Sequence, residues 1–252
     1  MSLHYLAGTE RGGCDFEMDG SIRRITGALW QPPQLTVDSP MVLMGHGASG
    51  DRYQAPIPHL ANRLVAEVNA VVLALDGPVH GLRFVSPGGR EAVATEMQRE
   101  GFIQDMTTDW LEAYDAVCAE LGVGQGRTGY FGLSMGTFFG LPLLASELAF
   151  DVAVIGLAGT TRAGRPVASD LIAAAQQVTH PVLFLMQLED ELFPRDGYLT
   201  LFDALATDNK RLHANPGLHP EVPAEEIAHS FDFLRAHLAG DVERRIVNPL
   251  AE

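Results

Sequence analysis

From about residue 40 onward, short apolar runs alternate with segments of helical periodicity, and this alternation restricts the possible folds more than anything else in the chain. Met41-Val42-Leu43-Met44 and Val71-Val72-Leu73-Ala74-Leu75 are continuous apolar runs, the pattern of strands buried on both faces. Between them Leu60, Leu64 and Val68 recur at helical spacing, which predicts a helix from about Pro56 to Glu67. Asp109 to Leu121 is amphipathic and ends at Gly122-Val123-Gly124. Three strand–helix units follow: Arg127–Phe131 with Thr137–Leu148, Val152–Leu157 with Ala168–Gln177, and Pro181–Met186 with Gly197–Ala206. Lys210–Ala214 makes a last short strand. The closing helix has Pro223 in its first turn, Glu225 and Glu226 near its positive end, and Ile227, Phe231, Leu234 and Leu238 on one face. Repetition of this unit predicts an α/β domain, a mostly parallel sheet with helices on both faces. Its ligands should bind outside the carboxyl ends of the strands. Without internal repeats or a low-complexity linker, residues 1–252 read as a single domain.

Two regions depart from the alternation. The first thirty residues read as two antiparallel strands, Leu3–Ala7 and Ser21–Trp30, separated by a turn around Gly12-Gly13. Residues 79–108 are too long for an ordinary connection. They hold Gly81, Pro87, Gly88 and Gly89, then Val93, Met97, Phe102, Ile103 and Met106. A small lid-like insertion over the strand ends is one reading, with Met97, Phe102 and Met106 facing substrate; an extra surface helix is the other.

Composition excludes several partner classes. The chain has 252 residues, 46% apolar and 19% charged, ordinary for a globular enzyme and wrong for disorder. Lys plus Arg number 17 against 32 Asp plus Glu, a formal charge of −15, so no basic footprint exists for nucleic acid or an anionic membrane. No apolar run reaches the length of a membrane span or of a signal-peptide core. Cys14 and Cys118 make neither a disulfide framework nor a metal pattern. A cytoplasmic protein is expected, and a homodimer is left open.

The chemistry centres on Gly132-Leu133-Ser134-Met135-Gly136, between a strand and a helix. Glycines two residues either side of a serine allow a sharp turn that projects the hydroxyl from the sheet end as a nucleophile. A serine needs an imidazole to take its proton and a carboxylate to hold that imidazole, in the chain order Ser, acid, His. His180 opens a strand and His229 and His237 lie on the last helix, so these read as structural. His219 stands in the loop Asn215-Pro216-Gly217-Leu218-His219-Pro220, just past the last strand, and is the best candidate base. The preceding strand ends in Glu189-Asp190-Glu191; Asp190 is the chosen acid and Glu189 the runner-up. Oxyanion donors are expected from the Met135 amide and the Ala48 amide of Gly45-His46-Gly47-Ala48. His46 reads as fixing that loop and as a wall of the site. His80 and Arg83 follow a strand end at Asp76-Gly77-Pro78, where they would shape the substrate pocket or merely pack the loop.

These four motifs, in this order, resemble the α/β-hydrolase superfamily, and more narrowly its dienelactone-hydrolase-like and small serine carboxylesterase branch. Dienelactone hydrolases proper use a cysteine nucleophile where this chain has Ser134, so the serine esterases are the better guide. The resemblance implies an α/β-hydrolase fold of about eight strands, the second antiparallel, with no metal or organic cofactor. It implies a serine esterase cleaving small-molecule carboxylic esters through an acyl-enzyme intermediate. Thioesters, lactones, amides or activated C–C bonds are alternative targets of the same triad, and a non-catalytic ligand-binding protein is the alternative from another class.

Overall fold

The computed structural model describes residues 2–162, 165–166 and 170–242. The chain opens with an antiparallel meander of β1 (His4–Glu10), β2 (Gly13–Asp19) and β3 (Arg24–Trp30). Arg11 and Gly12 take φ of 50° and 88°, a two-residue turn whose twist matches paired strands, and Glu10 stands opposite Gly13. Three strands thus replace the two expected. β2 is hidden in the sequence because acidic residues interrupt it, yet Phe16 and Met18 point inward while Glu17 and Asp19 alternate outward.

The alternating elements follow as β4 (Met41–Gly45), α1 (Ile57–Val68), β5 (Val71–Leu75), α2 (Gly89–Glu96), α3 (Phe102–Leu121), β6 (Thr128–Leu133) and α4 (Met135–Leu144). After them come β7 (Val152–Gly156), a hairpin of β8 (Thr161–Arg162) and β9 (Arg165–Pro166), α5 (Asp170–Ala175), β10 (Val182–Gln187), α6 (Arg195–Ala204), β11 (Lys210–Asn215) and α7 (Ala224–Ala239). The main sheet has nine strands in the order β1-β2-β3-β5-β4-β6-β7-β10-β11 and is parallel from β5 onward. Nine rather than about eight results from the third strand of the meander. The expected strands from residue 41 on all form, within a residue or two of their expected ends.

Successive residues of the inner strands face opposite sides, and both sides are covered. Met41, Leu43, Leu73 and Tyr130 join α3, α4, α5 and α6 in one core, with Trp110 and Leu141 at its centre. Val42, Met44, Val72 and Phe131 join α1 and α7 in the other, against Leu60, Leu64, Phe231 and Leu234. α4 ends at Leu144 instead of Leu148, where the Ser146 amide and hydroxyl both donate to the Leu143 carbonyl.

Residues 79–108 divide into a 3₁₀ turn at Gly81–Arg83, α2, and the first two turns of α3, which starts at Phe102 and not at Asp109. Buried carboxylates fasten this stretch to the sheet. Asp76, at the end of β5, accepts from Thr26 Oγ1 at 2.7 Å, the Leu82 amide at 3.0 Å and the Arg52 guanidinium at 3.1 Å. Asp109 on α3 accepts from Arg23 at 2.9 Å and from Arg83. Among the described residues no helix is long and apolar enough to cross a membrane.

Candidate active site

β6 passes into α4 through Ser134, whose φ of 58° and ψ of −115° lie in a region that L-residues rarely occupy. Close packing holds the turn. The Ser134 amide donates to the Gly156 carbonyl at 2.9 Å, and Tyr130 Oη donates to the Gly136 carbonyl at 2.6 Å. A Cβ on Gly136 would strike the Gly45 carbonyl, so the glycine lets α4 sit directly against the end of β4. That approach brings the residues after β4 beside Ser134.

The structure brings Ser134, His219 and Asp190 together. Ser134 Oγ lies 2.9 Å from His219 Nε2, and His219 Nδ1 lies 2.7 Å from Asp190 Oδ2. Asp190 Oδ1 accepts the Leu192 and Phe193 amides at 2.7 and 3.0 Å, and Oδ2 also accepts the Tyr198 hydroxyl. Burial opposes its charge, but the hydrogen bonds from His219, Tyr198 and the two amides prevail and hold the carboxyl below the usual range. Burial and the same carboxylate push the Tyr198 hydroxyl up, which keeps it a donor.

All three acids of the 189–191 turn serve the His219 loop. Glu189 accepts the Gly217 amide at 2.5 Å, and Glu191 accepts the His219 amide at 2.9 Å. Only Asp190 of the three meets the imidazole. Tyr198, the fourth residue of α6, escaped the sequence reading.

Beside Ser134 the Met135 amide opens α4, where no earlier helical carbonyl exists to receive it. Opposite stands the 45–48 loop. His46 is buried; its Nε2 accepts the Gly77 amide at 2.8 Å, which leaves Nδ1 to donate to the Gly47 carbonyl at 2.7 Å. Burial lowers its pKa to about 4, so the ring is neutral and acts as a brace. The Gly47 amide is engaged by Gln54 Oε1 at 2.6 Å, whereas the Ala48 amide donates to no described residue. His80 Nε2 lies 3.1 Å from the Ala48 carbonyl and Nδ1 lies 2.6 Å from the Pro78 carbonyl, so it too steadies this loop.

Ser134 and His219 border a cavity of about 340 Å³. His46, Ala48 and Gln54 line one side, and Phe131, Leu133, Leu157, Val222 and Ile227 give it apolar walls. Of the residues expected to shape the pocket His46 lines it, whereas His80, Arg83, Met97, Phe102 and Met106 are not among its lining residues. Arg83 is spent on Asp109 and the Asp76 carbonyl, and Met97 is exposed. Phe102 stacks on Phe138 with centroids 5.9 Å apart, and Met106 is buried and, with Met135, lines a different small void.

No protein-family model and no curated protein matches the chain. Solved structures do. A cold-adapted esterase from an Arctic intertidal metagenomic library, in its PEG-bound form, is 34% identical over 94% of this chain and 99% of its own, with a TM-score of 0.81. The fold is shared at lower identity by an acetyl xylan esterase from Paenibacillus sp. R4, 16% identical over 94% of this chain and 88% of its own at TM-score 0.70. The Pyrococcus furiosus esterase Pf2001 is 14% identical over 94% of this chain and 100% of its own at TM-score 0.67. The chain belongs to the α/β-hydrolase superfamily, among its carboxylic ester hydrolases.

Proposed function

We propose that the chain cleaves small carboxylic esters by a two-step acyl-enzyme route. Ser134 Oγ attacks the ester carbonyl while His219 Nε2 takes its proton. Asp190 keeps the proton on Nδ1 and stabilises the imidazolium that forms. The Ala48 and Met135 amides receive the oxyanion. The imidazolium protonates the departing alcohol, and water activated by the same ring then releases the acid and frees Ser134. The observation that carries this reading is the unbroken series of Ser134 to His219 at 2.9 Å and His219 to Asp190 at 2.7 Å. The apolar walls of the cavity favour hydrocarbon on the substrate, and its volume of about 340 Å³ favours small esters over long-chain lipids.

Purified protein is expected to hydrolyse p-nitrophenyl acetate and butyrate and to leave the palmitate largely untouched. Ser134→Ala should keep the fold by circular dichroism, lose at least roughly a thousandfold in kcat and no longer react with a fluorophosphonate probe. Undiminished turnover by this variant would remove Ser134 from the mechanism.

A further inference from the structure

Away from the cavity, β11 and the first two turns of α7 place a second imidazole–carboxylate group together. Glu226 and His229 are three residues apart on α7, so they share a helix face. His213 on β11 comes up beside them, with Nδ1 at 2.8 Å from Glu226 Oε1. The ligand atoms of His213, Glu226 and His229 all lie within 4.8 Å of one another. The Glu226 carboxylate is buried, and its partners are the His213 imidazole and the Asn215 amide at 3.4 Å; among the described residues no arginine or lysine pairs with it. A buried carboxylate demands a positive partner. The His229 ring is exposed and makes no hydrogen bond among the described residues, and it meets His213 edge to face at 5.9 Å between centroids.

We infer that His213, Glu226 and His229 form a binding site for a divalent transition-metal ion of the zinc type, separate from Ser134. Two imidazole nitrogens and one carboxylate oxygen suit that class of ion, with a fourth position open to water. In tetrahedral zinc the ligand atoms stand roughly 3.3 Å apart. His213 and Glu226 are already closer than that, so rotation of the exposed His229 ring completes the set. The ion takes the place of the hydrogen between His213 Nδ1 and Glu226 Oε1, and the ring then carries its N–H on Nε2, so that the ligand is a neutral imidazole. The position has a mechanical consequence: His213 and Glu226 flank the loop that carries His219, and Pro220 and Val222 of this loop wall the cavity. A bound ion ties the two ends of that loop together.

Protein stripped with a chelator and titrated with zinc alone should bind one ion per chain in calorimetry. Zinc should raise the melting temperature and slow amide exchange in residues 217–222. His229→Ala, an exposed change that spares the core, should weaken binding at least roughly tenfold and abolish the thermal shift. His219→Ala should leave both intact. Absence of saturable binding, undiminished binding in His229→Ala, or its loss in His219→Ala would each overturn the assignment, the last by moving the ion to the Ser134 site.

Discussion

Three adjacent carboxylates divide two tasks here. Glu189 and Glu191 hold backbone amides of the His219 loop, and Asp190 alone holds the ring. Asp190→Asn should therefore keep the fold while kcat falls by roughly a thousandfold or more, because an amide at that position stabilises the wrong tautomer. Glu189→Gln should cost less than about tenfold, since it loosens one amide contact of the loop. Steady-state kinetics on a chromogenic ester separate the two, and the reverse ranking would transfer the orienting role to Glu189. At this scale the sequence told much about which residue types meet and little about who touches whom. Ser134, Asp190 and His219 could be singled out because each follows a strand and they occur in order. The grip of Tyr198 on Asp190 could not, because a tyrosine on a helix declares no direction. Arg83, Met97 and Phe102 read as pocket residues from their position after β5, but the cavity beside Ser134 takes lining residues from α1 and α7 instead, Ile57 and Ile227.

Among the elements, the contact of α4 with the end of β4 controls the geometry of the site. A methyl group at Gly136 has only the Gly45 carbonyl to move against, and Gly45 leads straight into the loop bearing His46 and Ala48. Gly136→Ala should destabilise by about 1–3 kcal/mol through overpacking, read as a fall in melting temperature. On the proposed mechanism it should also lower kcat more than it raises KM, since the Ala48 and Met135 amides shift relative to Ser134. A variant as active and as stable as the parent would show that the close approach is dispensable. Short continuous apolar runs were legible nearly to the residue, such as Val71–Leu75, because a run this short, closed by Asp76-Gly77-Pro78, leaves too few residues for a buried helix. Those formed under polar sequence were not: β2 is acidic, and the first turns of α3 lie beyond a glycine-rich stretch that masks where the helix begins.

For the molecule as a whole, acid is the direction of weakness. Burial lowers the pKa of His46 and of His180 from 6.5 to about 4. Both rings are thus neutral in the folded chain at pH 5, where the unfolded chain would protonate them. Their stabilising contribution is complete above pH 6.5 and is lost as the pH falls toward 4. Depressed carboxylates such as Asp15 and Asp190 add to the loss at still lower pH. His180 lies outside the site, so His180→Phe tests this without touching activity. Its melting temperature should fall less between pH 7.5 and pH 5 than that of the parent, by an amount equivalent to about 2 kcal/mol. Parallel curves would assign the acid sensitivity elsewhere. The same ledger of stability runs against function at Ser134. A residue with a side chain held at φ 58° and ψ −115° stores strain of roughly 1–3 kcal/mol that glycine would not. Ser134→Gly should match or exceed the parent in melting temperature while being inert. If Ser134 is the nucleophile proposed above, enrichment of variants for thermal resistance alone would tend to erase it, so any such selection on this enzyme has to be coupled to turnover.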